Sequence, residues 1–470
     1  MIALTAWRHS ILFKGALLLV LLLLLCIPLA QIAQLIAQRG HGQQDAEREL
    51  ARTHVGAQTL AGPVLVVPYV EHWQVVLRNE QGERTGTQAR SAQRVQLVFP
   101  EQLDLQGTLT PQERYRGIFT VLFYKLAGRI SGQFAPFDPA VLLRHEPDSR
   151  VEVQPPVLAL GVSDLRGLEG APRLSLAGEA PAFAQRVPHL AEGNALAAGM
   201  HAPLAGQALA AFQAGQALPF ALDITLMGQR DLAVLPLGDE TTAQLQSPWP
   251  HPSFGGRFLA AERTVTDSGF DARWHISALT TQAREQVRAG TLGAGRAQGA
   301  LREADAFEVS FVQPVNVYSM SERAAKYGAL FIALVLMAVF MVELFKRLAL
   351  HPVQYALVGL SIAVFFLLLV ALSEKIGFAL AYAGAAGASA LLLAVYFSAV
   401  LGSARRGASL AAYVGLLYGA LYALLASESN ALLLGALLVF AMLAALMLAT
   451  RHVDWSRLGG GTERADAPAA

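Results

Sequence analysis

The runs YGALFIALVLMAVFMVELF, at residues 327–345, and VQYALVGLSIAVFFLLLVAL, at residues 353–372, open an almost continuously apolar block that extends from residue 324 to residue 450. Short polar breaks divide this block into segments of about 17–24 residues, and a helix of that length crosses a hydrocarbon layer about 30 Å thick. Because a backbone in lipid must satisfy its own hydrogen bonds, each segment is predicted to be a helix. The predicted transmembrane block occupies residues 323–450, with helices at 327–345, 353–372, 378–401, 410–426 and 431–449.

Another apolar run, GALLLVLLLLLCIPLAQIAQLI, occupies residues 15–36. It is longer than the roughly 7–15 apolar residues of a cleavable signal peptide, and no clean A-x-A site follows it. Leu25 stands where a lipoprotein site at Cys26 would need a small residue. We therefore favour an uncleaved membrane helix over residues 15–37, which brings the predicted membrane helices to six.

The composition fits a membrane protein and excludes one class of partner. Hydrophobic residues make up 54% of the 470 residues and charged residues 15%, against about 25% in typical soluble proteins. The net charge of +1 leaves no basic excess to neutralise phosphates, so no nucleic-acid partner is expected. Cys26 is the single cysteine, and no intrachain disulfide can form.

Residues 38–322 have the pattern of a water-exposed domain. Residues 38–60 are polar with rough helical spacing, which favours a short helix that leaves the membrane. From residue 62 onwards, short runs such as VLVVPYV at residues 64–70 alternate with turn residues, which predicts a large β-rich (α+β) domain between helices one and two. We expect a loop or short helix at residues 190–217, and a short helix followed by a mobile loop at residues 280–304.

The distribution of Lys and Arg predicts the orientation. Cationic residues gather at alternate ends of the predicted helices, whereas the opposite breaks hold Glu374 with Lys375, and Glu428. The positive-inside rule then places both termini, residues 1–14 and 451–470, in the cytoplasm and residues 38–322 across the membrane from them. The cationic positions are Arg8, Lys14, Lys346, Arg347, Arg405, Arg406, Arg451 and Arg457.

Long motifs are spread along the chain: WPHPSF at 249–254, SGF at 268–270 with Trp274, SERAAKY at 321–327, HPVQY at 351–355, LVGL at 357–360, LSEKIGF at 372–378, NALLLG at 430–435 and Asp454-Trp455. In content and order these motifs resemble the CreD family of inner-membrane proteins, over nearly the whole chain. Lys375 is a departure, because histidine is expected there, and no histidine role is assigned to that position.

The resemblance implies an inner-membrane protein that contributes to envelope integrity and is linked to a two-component envelope or nutrient response in Gram-negative bacteria. It also implies that residues 38–322 are periplasmic. It implies no molecular activity, because the family has no established one.

Trp249, His251 and Phe254 form the first group of candidate site residues. The prolines on both sides of His251 hold the backbone in an extended, preset conformation. This favours a structural corner between two strands, and the alternative is a loop that docks a ligand or partner.

Glu322, Arg323 and Lys326 form the second group, just before the second membrane helix. The spacing of Glu322 and Lys326 allows a weak ion pair. A juxtamembrane cap is the favoured interpretation, and the alternative is a hinge that couples the outer domain to the bundle.

His351 and Tyr355 form the third group, where the third membrane helix begins. Pro352 at the first helical position favours a plain helix start. Alternatively, Lys346, Arg347 and His351 form a basic cluster that touches anionic lipid headgroups.

Two acidic residues lie near helix ends. Glu343 is expected to pair with Lys346 or Arg347 in the next turn, and Glu374 lies in or beside an outer loop. Predicted helices four to six carry no charged residue in their cores, which argues against ion-coupled transport.

Gly415 and Gly419 form a G-x-x-x-G motif in the fifth predicted helix. Small residues at this spacing let helices approach closely. Packing within the chain is the favoured interpretation, and contact within an oligomer is the alternative.

The sequence contains no G-x-S-x-G, H-E-x-x-H or P-loop motif, and its eleven histidines have no zinc-like spacing. We therefore predict a non-catalytic membrane protein without cofactor or metal, in contact with membrane lipids and with an envelope protein or periplasmic ligand as further candidate partners. A transporter or lipid-handling protein is the first alternative, and a membrane-anchored periplasmic enzyme is the second.

Overall fold

The computed structural model describes residues 11–80, 84–146, 148–191, 194, 196–289, 305–313, 317–346, 350–427 and 431–451. The chain divides into two compact units, the helical unit (Met1–Gln43 with Val315–Ala470) and the β unit (Gln44–Pro314). The predictions for residues 1–10, 290–304, 347, 428 and 452–470 lie outside the described residues.

Long apolar helices build most of the helical unit. In chain order the described helices of the chain are α1 Ile11–Thr53, α2 Gly206–Gln213, α3 Ala283–Ala289, α4 Val317–Lys326, α5 Gly328–Lys346, α6 Pro352–Ser373, α7 Phe378–Val400, α8 Ala404–Ala426 and α9 Ala431–Thr450. Among the described residues, five helices are long and apolar enough to cross a membrane, namely α1, α5, α6, α7 and α8. The short helices α2 and α3 belong to the β unit.

α1 is a single helix of 43 residues that runs through Pro28. The polar residues 38–53, expected to form a short helix of their own, continue α1 without a break. Gln, Glu, Arg and Ala dominate this extension, and these residues propagate a helix well. Because the division between the units falls after Gln43, α1 contributes to both of them.

Two glycines allow α1 to pack closely inside the helical unit. A Cβ atom on Gly359 of α6 would lie 2.2 Å from Leu25 Cδ1, and one on Gly328 of α5 would lie 2.7 Å from Leu29 Cδ1. Leu25 and Leu29 are both buried. They join a core whose largest fully buried rings are those of Phe331, Phe365, Phe366 and Phe397.

The residues just before the predicted second membrane helix form a short helix of their own, α4. The helix ends at Lys326, and α5 begins two residues later at Gly328. α4 is amphipathic, with its charged side chains exposed and its buried face formed by Tyr318, Ser321, Ala324 and Ala325.

Two mixed β-sheets form the β unit, and the prediction of a large β-rich domain is confirmed. The strands are β1 Gln58–Arg78, β2 Arg84–Val98, β3 Gln102–Arg116, β4 Phe119–Phe134, β5 Arg150–Val153, β6 Val157–Val162, β7 Arg173–Leu176, β8 Ala184–Gln185, β9 Met200–Pro203, β10 Leu218–Gln229, β11 Asp231–Leu235, β12 Glu240–Ser247, β13 Pro252–Gly256, β14 Glu262–Thr266, β15 Gly269–Ser277 and β16 Phe307–Phe311.

The two sheets share one hydrophobic core. One sheet has nine strands in the order β13-β16-β11-β1-β6-β9-β8, with β2 and β5 also paired to β1. The other has seven strands in the order β14-β15-β12-β3-β4-β10-β7. The segment 190–217, expected to be a loop or short helix, contains the strand β9 as well as α2.

Gly132 of β4 lies against the backbone of β3. A Cβ atom at this position would lie 1.9 Å from the Gln102 carbonyl oxygen and 2.9 Å from the ring of Phe220. Only glycine fits between a neighbouring backbone and a core ring at this distance.

Candidate functional site

An ionic cluster binds the first turns of α1 to the bundle. Lys14 Nζ lies 2.5 Å from Glu343 Oε1, and the Tyr355 hydroxyl donates a hydrogen bond to Glu343 Oε2. The Glu343 side chain is only 4% exposed, and that of Lys14 is 32% exposed. The Leu350 N–H also donates to Glu343 Oε1, at 3.4 Å. The predicted partners of Glu343, the side chains of Lys346 and Arg347, lie outside the described part of the chain.

A second ionic cluster lies farther along α1. Arg39 Nε is 3.8 Å from Glu374 Oε1, and the Tyr318 hydroxyl of α4 donates to the same oxygen at 3.4 Å. Burial and the nearby Glu374 charge raise the pKa of Tyr318 to about 12, so its hydroxyl stays protonated as a donor. The two clusters together attach both ends of the membrane part of α1.

His351 caps α6, as the interpretation of a helix start implies. His351 Nδ1 accepts a hydrogen bond from the Val353 N–H at 3.3 Å, and Gln354 Oε1 accepts one from the His351 N–H at 2.9 Å. This reciprocal pair is a capping box, which satisfies two N–H groups at the start of the helix.

The candidates on α4 are solvent-exposed. Glu322 and Lys326 form the expected ion pair, with 3.0 Å between Glu322 Oε1 and Lys326 Nζ. Arg323 is also exposed on this helix. Exposed pairs of this kind contribute about 0.5 kcal/mol or less, so the pair is not a strong restraint on α4.

Trp249, His251 and Phe254 close a corner of the β unit. Trp249 Nε1 donates to the carbonyl oxygens of His251 and Val312, both at 3.1 Å. The Phe254 ring packs edge-to-face on Trp274, with 5.9 Å between ring centroids. The His251 side chain is exposed, and its ring makes no hydrogen bond to a described residue.

A buried carboxylate organises the loop before β5. Glu71 has a fully buried side chain that accepts hydrogen bonds from Arg94 Nε at 2.6 Å and from Ser149 Oγ and the His145 N–H, each at 2.8 Å. Burial alone raises the pKa of Glu71, but the hydrogen bonds from Glu146, Ser149, Arg94 and His145 outweigh it and lower the pKa to about 2. The carboxylate is satisfied on all sides, which indicates a structural role.

The exposed face of the seven-stranded sheet carries an open groove of about 780 Å³. Alternation along β10 buries Leu222 and Ile224 and turns Asp223 and Thr225 outwards. The same alternation on the other strands gives the groove a lining of amides and hydroxyls, notably Gln106, Thr108, Thr225, Gln244 and Gln246. His251 is not part of this lining.

Charged residues from neighbouring strands meet at one end of the groove. Asp223 of β10 is paired in register with Arg129 of β4 on one side and with Arg173 of β7 on the other. Arg129 Nη1 lies 3.9 Å from Asp223 Oδ1. Glu169 also lines this end and is paired with Lys125 at 2.5 Å. Three cationic groups thus meet two carboxylates, and one positive charge is left in excess.

The groove is bordered by the segment 164–171, which we call the rim. Glu169, Gly170 and Ala171 line the groove, and the Glu169 N–H donates to the Thr225 carbonyl at 3.0 Å. At the other end of the rim, Arg166 binds Asp164 and donates to the carbonyl oxygen of Arg52 at 2.7 Å. The rim therefore contacts both the groove and the last turn of α1.

Further contacts hold this last turn within the β unit. Arg116 forms an ion pair with Glu49, and Gln229 Nε2 donates to the Glu47 carbonyl at 3.1 Å. Leu50 packs against a small core of Val55, Val121, Phe123 and Met227. Sequence reasoning missed these contacts because the partners lie far from α1 in the chain.

Buried hydroxyl groups inside the bundle bind one another. The Tyr382 hydroxyl donates to the Tyr418 carbonyl at 2.7 Å, and Ser389 Oγ lies 2.9 Å from the Tyr418 hydroxyl. Phe365 packs on Tyr418 with 4.4 Å between ring centroids. Polar groups that are satisfied in this way favour a packed helix contact over the lining of a passage.

Gly415 and Gly419 do not support the favoured interpretation of packing within the chain. A Cβ atom at either position would meet no atom of the described structure within 4 Å.

Among the described residues, no group of three or more His, Cys, Asp or Glu side chains could hold a metal ion.

The comparison with known families covers almost the entire chain. The family model described as "Inner membrane protein CreD" matches residues 10–456. The chain belongs to the CreD family. The inner membrane protein CreD of Escherichia coli (strain K12) is 32% identical over 449 residues, which are 96% of this chain and 93% of that protein. Together with the apolar helices, this makes the chain a multi-pass inner-membrane protein, in a family named for its location and not for a reaction.

Proposed function

We propose that this chain is a non-catalytic inner-membrane protein of the CreD type that contributes to envelope integrity by binding a periplasmic ligand or partner. The proposed binding site is the groove of the seven-stranded sheet. One observation carries the proposal: the rim lines the groove and also binds the last turn of α1. A ligand that contacts the rim can therefore alter the restraint on a helix that continues into the membrane.

The attachment of α1 supports this coupling. Within the helical unit, the Lys14 and Arg39 ion pairs hold the helix. Within the β unit, Arg116, Arg166 and Gln229 hold its other end. A ligand shifts such an equilibrium only if it binds the two states of the rim with different affinity, and the rim offers that difference because it forms part of the site.

The proposal includes six membrane spans, both termini in the cytoplasm and a periplasmic β unit. The five apolar helices, the 20-residue apolar α9 and the cationic residues at alternate helix ends support it. Alkaline phosphatase fused after residue 200 is expected to be active in intact cells, and the same enzyme fused after residue 451 inactive. Activity of the second fusion alone would reverse the orientation.

The role of the groove can be tested by filling it. Ala127 is exposed on the groove floor, and Ala127→Trp occupies the groove without changing a charge. We expect this variant to fail to restore detergent tolerance to a strain that lacks the gene. Ala221→Trp is the matched control, because Ala221 lies on the next strand of the same face but outside the groove lining.

Full restoration by Ala127→Trp would contradict the role of the groove. A deletion strain with unchanged detergent tolerance would contradict the envelope role itself. Equal membrane levels of both variants must be verified by immunoblotting, so that a loss of function is not a loss of protein.

A further inference from the structure

The chemistry of the groove indicates what it binds. Its middle part presents side-chain amides and hydroxyls, which both donate and accept hydrogen bonds. Gln106 and Gln244 each donate one N–H to a neighbouring carboxylate, to Asp104 at 3.0 Å and Asp271 at 2.8 Å. Their amide oxygens then remain as acceptors for a ligand that is rich in hydroxyl or amide N–H groups.

The charged end of the groove adds an anion preference. Arg173 makes no ion pair with any residue that the structure describes, and Arg129 shares Asp223 at the long distance of 3.9 Å. The guanidinium group binds carboxylates through paired N–H donors, so Arg173 is suited to a ligand carboxylate. Lys125 does not add to this charge, because it is paired with Glu169 at 2.5 Å.

The position of the groove disfavours an extended peptide. A peptide that adds to a sheet needs the free backbone groups of an edge strand. The groove lies over β3, β4, β10 and β12, which are each paired on both sides, and the edge strand β7 contributes only Arg173 to its lining. Recognition must therefore come from side chains, and a hydroxyl-rich chain matches amides and hydroxyls better than a peptide backbone does.

We propose that the groove binds an anionic polysaccharide of the envelope, with its hydroxyl groups on the glutamines and threonines and a carboxylate on Arg173 and Arg129. The inference rests on the proposed function, in which this groove is the ligand site. The volume of about 780 Å³ is within the range of small-molecule sites, and an adjoining hollow of about 370 Å³ shares Thr108 and Gln246 with it. The two hollows together accommodate several sugar units.

The test is calorimetric titration of the full-length protein in lipid nanodiscs with three probes. Tetragalacturonate carries carboxylates, maltotetraose has similar size without them, and tetraglutamate carries carboxylates on a peptide. We expect tetragalacturonate to bind at least tenfold more tightly than the other two probes. We also expect Arg173→Gln to remove at least tenfold of that affinity.

Arg90→Gln is the matched control, because Arg90 is an exposed arginine on β2 of the other sheet. The affinity of this variant for tetragalacturonate is expected to equal that of the wild type. Equal binding of maltotetraose, equal binding of tetraglutamate, no binding of any probe, or an unchanged affinity of Arg173→Gln would each overturn the proposal. If these probes fail while Ala127→Trp still abolishes detergent tolerance, the ligand class is wrong and the proposed function stands.

Discussion

Replacing Lys14 by methionine is expected to lower the stability of the purified membrane protein by about 3 kcal/mol, because it leaves a buried carboxylate without its cation. Glu343 is the buried partner, with a side chain that is 4% exposed. Removing one member of a buried pair costs about 3–5 kcal/mol, and the partial exposure of Lys14 places the effect at the lower end. Thermal unfolding in nanodiscs measures this change.

Two further variants show whether the lost charge or the lost packing causes the destabilisation by Lys14→Met. The double variant with Lys14→Met and Glu343→Gln should recover most of the loss, because no unpaired charge is then buried. Arg39→Met removes the cation of the other cluster, where the ion pair is 3.8 Å long and the Arg39 side chain is 46% exposed. This control should cost less than about 1 kcal/mol. Equal losses for Lys14→Met and Arg39→Met would refute the distinction.

Gly132→Ala is expected to destabilise the β unit by about 1–3 kcal/mol or more. The added methyl group would lie 1.9 Å from the Gln102 carbonyl oxygen, so β3 or β4 must shift. A flexible side chain could move aside, but this neighbour is a backbone atom in a paired strand. Chemical unfolding followed by tryptophan fluorescence measures the effect, because the buried Trp274 lies in the same sheet.

Gly86→Ala provides the comparison for this prediction. Gly86 is also a strand glycine, but a Cβ atom there would meet nothing within 4 Å. Its substitution is expected to change stability by less than about 0.5 kcal/mol. Unfolding of both alanine variants at the same denaturant concentration would contradict the steric role of Gly132.

The membrane helices were predictable because lipid permits few other structures for an apolar backbone. The runs at residues 353–372 and 378–401 needed no tertiary information, since each is long enough to span by itself. The C-terminal end of α1 was harder to predict from the sequence. Its polar continuation to Thr53 is stabilised by Arg116 and Arg166, which lie far away in sequence. Long-range partners of this kind leave no local signal.

The β-rich character was also predictable, but the sheet order was not. The run VLVVPYV lies within β1, as expected for a buried strand. Its parallel partner β11 lies more than 150 residues further along the chain, and no turn motif connects the two. The groove is assembled from β3, β4, β10 and β12, so no single segment could reveal it. Outward polar residues at alternate positions, such as Asp223 and Thr225, were the available signal.

The candidate residues chosen from motifs were mostly those that shape the chain locally. His351 caps a helix and Trp249 closes a corner, and both uses explain a rigid local sequence. Tyr355 and Glu374 take part in the ionic clusters, whose cations Lys14 and Arg39 were not among the candidates. Ion pairs between residues more than 300 positions apart form only in the folded bundle, so the sequence does not reveal them.

The shared helix α1 also determines where this chain can be cut. Residues 44–53 lie upstream of the first strand, and a soluble fragment chosen by strand boundaries would begin near Gln58 and discard them. Such a fragment would expose Phe123 and Met227 and leave Arg166 without its carbonyl acceptors. A fragment of the isolated β unit for crystallisation or ligand screening should therefore start at Gln44, so that the last turns of α1 still cover this small core.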